Sequence, residues 1–219
     1  KRKSKNRYDE MALAAAKSWK KFWENEYSKI IDLFYGQYYS TTKCTSCKYV
    51  SENYVPFCTI SLPIPETDKP DINIYDCFSL FNKEEKLDIE NKWKCEKCNE
   101  YIQPSKKISI WKKPKILTIN FKRFTNDGRK LSNMISYPKT NLDISKYCYG
   151  YGVIDNIKYE LYAVVNHTGG TGGGHYFAYI KNYNNKWYEM NDTLVTEINE
   201  KSVVNQNAYL LFYRQQQSI

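Results

Sequence analysis

The sequence has only two histidines, and one of them closes a glycine run: Gly169-Gly170-Thr171-Gly172-Gly173-Gly174-His175-Tyr176. Five glycines in six positions leave the backbone free and unshielded. Such a loop is expected to be a mobile flap past which another chain can travel very closely. A phosphate cradle is the rival use of glycines, but no Lys-Ser/Thr follows them and the pattern after them is not helical. A strand pattern follows instead, setting His175 at a rigid strand start. Sixteen residues further on, past a hairpin, come Asn191 and Asp192. Antiparallel pairing can return either of them to the side of His175. A histidine steered by an amide or a carboxylate is the orienting half of a nucleophilic triad. The third group fixes the ring tautomer, and the other ring nitrogen accepts the nucleophile's proton. Spacing alone leaves His175 open between this base and a satisfied structural histidine. His167 is read as structural.

Four of the seven cysteines form two C-x-x-C pairs, Cys44/Cys47 and Cys95/Cys98, while Cys58, Cys77 and Cys148 stand alone. A C-x-x-C turn presents two thiolates to one ion, and two such turns complete the four-sulfur tetrahedron of a structural Zn²⁺. Two unrelated thiol pairs or a redox motif are the alternatives, but a redox C-x-x-C is single and opens a helix after a strand. Four thiolates leave no open position, so the ion has no catalytic part. The basic start, KRKSKNRYDE, is not followed by an apolar stretch, so no secretory signal is read. The pairs therefore read as metal ligands in a reducing, cytosolic compartment rather than as disulfides.

The chemistry must be carried by one large domain or a core domain with an extension, since the chain has 219 residues. Apolar residues make up 42% and aromatic residues 16%, enough for a core and too many for a disordered chain. No run of eighteen apolar residues exists, so membrane insertion is not expected. The net charge is +9, but the lysines are scattered and dense only at the start and over Lys106 to Lys115. They are read as solvated surface rather than a nucleic-acid footprint.

Helical spacing covers Asp9 to Glu26, and Ser28 caps a short helix through Phe34 that Gly36 stops. β-prone runs then flank Cys44 to Cys47, and Leu62-Pro63-Ile64-Pro65 breaks the sheet pattern. A helix is expected over Tyr75 to Phe81. Strands are expected at Ile108–Ile110, Ile116–Phe121, Tyr159–Val165, His175–Lys181, Lys186–Glu189 and Ala208–Tyr213, with a hairpin loop at Asn182 to Asn185 and a turn at Asn126-Asp127-Gly128. Helices first and strands later give an α+β class.

In this order the motifs resemble the ubiquitin-specific proteases. The matching stretches are Ile31-Asp-Leu-Phe-Tyr-Gly-Gln37, Ser40-Thr-Thr-Lys-Cys-Thr-Ser-Cys47, Phe57-Cys-Thr-Ile-Ser-Leu-Pro63, Trp93-Lys-Cys-Glu-Lys-Cys98, Pro114-Lys-Ile-Leu117, Phe121-Lys-Arg-Phe124, Tyr159-Glu-Leu-Tyr-Ala-Val-Val165, Gly174-His-Tyr176, Asn191-Asp192 and Ala208-Tyr-Leu-Leu-Phe-Tyr213. They cover nearly all of the chain from about Ala15 onward.

The resemblance implies a papain-like palm with an antiparallel sheet, zinc-ribbon-like β fingers, and N-terminal helices from the end of the thumb. Residues 1–219 would be the C-terminal part of one catalytic domain: about 1–35 thumb, 36–110 mainly fingers, 111–219 mainly palm. It implies that Cys44, Cys47, Cys95 and Cys98 hold zinc, that His175 is the general base, that Asn191 orients it and that Asp192 assists. Gly172, Gly173, Gly174 and Tyr176, with Phe124 of the Lys-Arg-Phe strand, would line the channel for the ubiquitin tail. The implied reaction breaks the isopeptide or peptide bond after the last Gly of ubiquitin, with ubiquitin and ubiquitinated proteins as partners.

The family's nucleophile sits in an N-terminal Asn-x-Gly-x-Thr-Cys-type box, which these residues do not contain. The oxyanion-hole Asn or Gln upstream of it is missing too. Cys58, Cys77 and Cys148 do not match the box, and Cys58 and Cys77 have apolar or β-prone neighbours and are expected to be buried and inert. The thiol is thus expected on a preceding part of the catalytic domain, and the 219 residues alone are expected to be inactive. A non-catalytic ubiquitin-binding module is the second function class.

Overall fold

The computed structural model describes residues 6–24, 27–67, 71–150 and 157–216. In chain order these form α1 (Arg7–Trp23), α2 (Lys29–Phe34), β1 (Gly36–Lys43), β2 (Val50–Phe57), β3 (Ile60–Pro63), β4 (Ile72–Asn73), α3 (Ile74–Phe81), β5 (Glu85–Lys86), β6 (Trp93–Lys94), β7 (Tyr101–Ile102) and β8 (Ser105–Lys112). There follow β9 (Ile116–Lys122), β10 (Ile135–Ser136), β11 (Tyr159–Gly170), β12 (Gly173–Lys181), β13 (Trp187–Asn191), β14 (Leu194–Ile198) and β15 (Ala208–Gln215). The class is α+β, mostly sheet. The chain forms two compact units: Lys1–Phe57 with Asn82–Pro114 and Ser145–Asn156, and Cys58–Phe81 with Lys115–Ile144 and Ile157–Ile219. Among the described residues, no helix is long and apolar enough to cross a membrane.

In the first unit, α1 starts where the Asn6 side chain accepts from the Tyr8 N–H, and it carries Asp9 and Glu10 in its first turn and Lys20 and Lys21 in its last. Both charge placements oppose the helix dipole. Its inner face packs Met11 and Ala15 against Tyr39 and Trp111. The helix begins two residues before the expected Asp9, and the expected end at Glu26 lies outside the described residues. Ser28 caps α2 as expected, its hydroxyl accepting from the Ile31 N–H at 3.3 Å. The sheet runs β2-β1-β8-β5, all antiparallel, and β6 and β7 form a separate ribbon.

The second unit holds a seven-stranded sheet in the order β14-β13-β12-β11-β15-β9-β3. Leu117, Ile119 and Phe121 of β9, with Leu161, Val164 and Leu211, are fully buried in it. Removing such side chains from water contributes roughly 1.5–3 kcal/mol each. All pairings are antiparallel except β3 with β9. Here the structure corrects the reading of Leu62-Pro63: Ile60–Pro63 is a strand. It sits at the sheet edge, where proline's missing N–H is tolerated. The sequence pattern does not predict strand β14.

The glycine run is also corrected. Strand β11 continues through Gly170 and β12 starts at Gly173, leaving Thr171 and Gly172 alone in the turn. It is a paired hairpin with Gly170 opposite Gly173, not a free flap.

Just past β9, Arg123 is fully buried and donates from Nε to the Ala208 carbonyl at 2.7 Å and from Nη1 to the Leu131 and Asn133 carbonyls at 2.9 and 3.1 Å. It ties the segment that carries Phe124 to β15.

Candidate active site and metal centre

Strand alternation assigns the site residues to two faces of one sheet. Along β12, His175, Phe177 and Tyr179 share a face: the His175 and Phe177 rings lie parallel at 6.4 Å, and Phe177 meets Tyr179 edge-on at 5.5 Å. Strand β13 pairs Tyr179 with Glu189 and Ala178 with Met190. Carrying that register one step further sets Asn191 opposite Phe177, diagonal to His175. A diagonal neighbour is within reach of long side chains, and His175 Nε2 donates to Asn191 Oδ1 at 2.7 Å. The Asn191 amide in turn donates from Nδ2 to Glu189 Oε1 at 3.1 Å. Glu189 belongs to no motif in the sequence, although its position two residues before Asn191 on a strand puts it on the same face.

His175 is exposed, with Asn191 and Glu189 half-buried behind it. In this arrangement Nδ1 of His175 is left with its lone pair, able to take a proton from a group that approaches it. Asp192 lies elsewhere: it opens the two-residue turn to β14 with a left-handed backbone, φ 52°, and the side-chain partner of His175 is Asn191.

The opposite face collects the second histidine. His167 is 3% exposed, and Tyr176 lies across the hairpin from it with ring centroids 4.5 Å apart. Phe124 at 5.7 Å and Tyr209 at 5.9 Å complete an aromatic shell. Phe124 and Tyr176 are thus brought together around His167, on the face away from His175. Lys130 holds this corner by donating to the His167 carbonyl at 2.7 Å. Burial first, and the Lys130 charge second, push the His167 imidazole below its ordinary value, so the ring is neutral at pH 7.

The glycines differ in what surrounds them. A Cβ on Gly172 or Gly173 would meet nothing within 4 Å, whereas one on Gly174 would come within 2.2 Å of His167 Nε2 and 2.5 Å of the Thr168 carbonyl. Gly174 is required by its own protein. Gly172 and Gly173 are not, which leaves an open surface beside His175.

In the first unit the four paired cysteines converge, their sulfurs all within 4.8 Å of one another. The two turns are built alike. Cys44 N–H bonds Tyr49 O and Lys48 N–H bonds Cys44 O; Cys95 N–H bonds Glu100 O and Asn99 N–H bonds Cys95 O. Lys48 and Asn99 take the left-handed backbone that closes each turn, φ 63° and 59°. The Cys44 thiol is pulled down to about 7, first by the backbone N–H of Cys47, which points at its sulfur from 3.3 Å. The arrangement is zinc-ribbon-like and can hold a metal ion.

The other three cysteines sit in different settings. Cys77 is buried on α3 and its thiol is pushed up to about 12, by burial first and by Asp76 next. Cys148 is half-buried. Cys58 is exposed, against the expectation of burial, because it lies in the short link between β2 and the edge strand β3 rather than inside the sheet.

Comparison with known proteins gives a consistent picture. A family profile described as ubiquitin carboxyl-terminal hydrolase matches residues 2–213. A probable ubiquitin carboxyl-terminal hydrolase of Acanthamoeba polyphaga mimivirus is 40% identical over 201 residues, covering 89% of this chain and 43% of the relative. Ubiquitin carboxyl-terminal hydrolase 2 of Gallus gallus is 39% identical over 199 residues, covering 89% and 55%. The chain therefore spans about half the length of these relatives. Among solved structures, a yeast SAGA DUB module superposes with a TM-score of 0.76 at 31% identity, covering 93% of this chain and 46% of the other. The SAGA Ubp8/Sgf11/Sus1/Sgf73 DUB module bound to ubiquitin aldehyde does so at 0.72 and 30%, covering 90% and 45%.

Proposed function

Because the chain belongs to the ubiquitin carboxyl-terminal hydrolase family, we propose that it supplies the histidine and asparagine of a thiol-dependent deubiquitinase together with the surfaces that hold ubiquitin. The observation that carries this is the 2.7 Å hydrogen bond from His175 Nε2 to Asn191 Oδ1. A module that only binds ubiquitin needs neither residue, so the pair favours hydrolysis over the binding-only reading. In this proposal Asp192 supports the pair only from the adjoining turn.

The thiol belongs to a segment outside these 219 residues. It loses its proton to His175 Nδ1, and the imidazolium is steadied by Asn191 Oδ1 at Nε2. The thiolate attacks the carbonyl carbon of ubiquitin's last glycine. As the tetrahedral intermediate collapses, the C–N bond breaks, Nδ1–H delivers its proton to the departing amine, and a thioester remains. Water then gives a proton to Nδ1 and its oxygen to the carbonyl carbon, and the C–S bond breaks to release the carboxylate and regenerate the thiol.

Gly172 and Gly173, with nothing of their own protein filling their Cβ space, form the wall past which a Gly-Gly tail runs, ahead of Gly174. Tyr176 and Phe124 border it from the other face. The segments about 1–35, 36–110 and 111–219 then act as thumb end, fingers and palm.

The cysteine cluster holds structural Zn²⁺. Zn–S bonds of about 2.3 Å in a tetrahedron require S···S edges of about 3.8 Å. Cys44–Cys98 and Cys47–Cys95 stand at 3.8 and 3.6 Å. Bound there, the ion joins the β1–β2 turn to the β6–β7 turn and takes no part in the reaction. Free zinc-binding thiols suit a reducing, intracellular setting.

The test is hydrolysis of a ubiquitin C-terminal fluorogenic amide by the whole protein that contains this chain. Turnover that disappears in His175→Ala supports the proposal. Turnover that survives it, or ubiquitin binding with no turnover in the unaltered whole protein, overturns it in favour of another base or of the binding module.

A further inference from the structure

Glu189 accepts from the Asn191 amide whose other end meets His175, so its chemistry constrains both. We propose that Glu189 is a positioning residue whose carboxylate fixes which way round the Asn191 amide sits and thereby which nitrogen of His175 carries the proton. The inference rests on the reading of His175 as base and Asn191 as its partner.

Donor and acceptor chemistry fixes the arrangement. An ionised carboxylate only accepts hydrogen bonds, an asparagine amide has one accepting and one donating end, and a neutral imidazole can present either character at a given nitrogen. Glu189 Oε1 lies 3.1 Å from one end of the amide, and His175 Nε2 lies 2.7 Å from the other. Only the Nδ2 end can face the carboxylate. The Oδ1 end must then face His175, and Nε2 must carry the hydrogen. With one proton on the neutral ring, Nδ1 is left as the base.

Among the described residues Glu189 is the side chain that takes up the far end of the amide, so its removal leaves the two amide orientations undiscriminated there. A flipped amide offers Nδ2–H to Nε2, moves the ring proton to Nδ1, and removes the lone pair that must accept the thiol proton. A wrong tautomer in a histidine triad costs up to about 10⁴ in kcat.

The strand geometry makes the lock stiff. Glu189 stands mid-strand in β13, paired with Tyr179 on one side and Thr196 on the other. It is half-buried, and its charge is close enough to raise the Tyr179 hydroxyl, after burial, above its ordinary value. A carboxylate held between two neighbouring strands presents a fixed acceptor.

The experiment is long-range ¹H–¹⁵N NMR of the imidazoles at a pH where the rings are neutral, on the 219-residue chain. It has only two histidines to assign, and His175→Gln identifies the signal. His167, on the other face, reports folding in every variant. The expected result is a single Nε2–H tautomer for His175 in the unaltered chain. Glu189→Lys replaces the acceptor by a donor and is expected to invert the ring to Nδ1–H. Glu189→Ala is expected to give a mixture, and serves if the lysine variant does not fold. Nδ1–H in the unaltered chain, or the same single tautomer in every folded variant, overturns the proposal. Because no turnover is measured, failure here is distinct from failure of the deubiquitinase reading.

Discussion

The ring of His167 occupies the space that any side chain at position 174 would need, since a Cβ on Gly174 would approach its Nε2 to 2.2 Å. The contact links the buried aromatic face of the hairpin to the backbone immediately before His175. Gly174→Ala must push apart both that ring and the Thr168 carbonyl, an overpacking that typically costs about 1–3 kcal/mol. Gly173→Ala, with open space around it, is expected to change stability by less than about 0.5 kcal/mol. Thermal or denaturant unfolding of the two variants checks the contrast, and equal losses would contradict it.

The same ring makes stability pH-dependent. Burial and Lys130 hold His167 below its ordinary value in the folded chain. The unfolded chain therefore binds a proton first as pH falls through about 6.5, and stability declines from there downward. Above that pH both states are neutral and the ring contributes no slope. Denaturant midpoints between pH 8 and pH 5 should show a decline that His167→Gln reduces. A variant whose slope matches the parent's would show that other groups carry it.

Metal content gives an independent check on the cysteine cluster. One equivalent of zinc is expected per folded chain, and Cys44→Ser or a strong chelator should lower it and loosen the two turns around Cys44–Cys47 and Cys95–Cys98. Amide exchange in those turns should rise while the seven-stranded sheet stays protected. Unchanged exchange after complete metal removal would contradict a structural role for the ion.

The open glycine surface yields a separation of stability from function. Gly173→Val is expected to leave the fold intact, because valine suits a strand and its Cβ has no atom within 4 Å there. In the whole protein it is expected to block the ubiquitin tail, lowering kcat/KM by at least about tenfold, the equivalent of about 1.4 kcal/mol. Normal kinetics in a normally folded variant would remove the hairpin from the substrate path.

Much of this was legible in the residues. The cysteine spacing, the Ser28 cap of α2, and the return of Asn191 or Asp192 to the side of His175 follow from local rules. What escaped the sequence depended on context. Pro63 reads as a breaker until the sheet order places β3 at an edge. Strand β14 is exposed from Leu194 through Glu197, so no apolar alternation reveals it. The glycine run reads as a flap until eight residue pairs of β11 and β12 are seen in register. Arg123 carries the signature of a surface residue, yet it is buried on three backbone carbonyls that only the tertiary fold supplies.

In the proposed reaction His175, held by Asn191, activates a thiol directed at the end of ubiquitin. Its most direct measurement is the rate at which ubiquitin bearing a C-terminal electrophile alkylates the whole protein, with the modified cysteine identified by mass spectrometry. The expected adduct lies on a thiol outside residues 1–219. Its rate should fall about 10²–10⁴-fold in His175→Ala, less in Asn191→Ala or Asp192→Ala, and far less in His167→Gln once folding is matched. An adduct on Cys58, Cys77 or Cys148, or one formed in His175→Ala at the unaltered rate, would contradict the account.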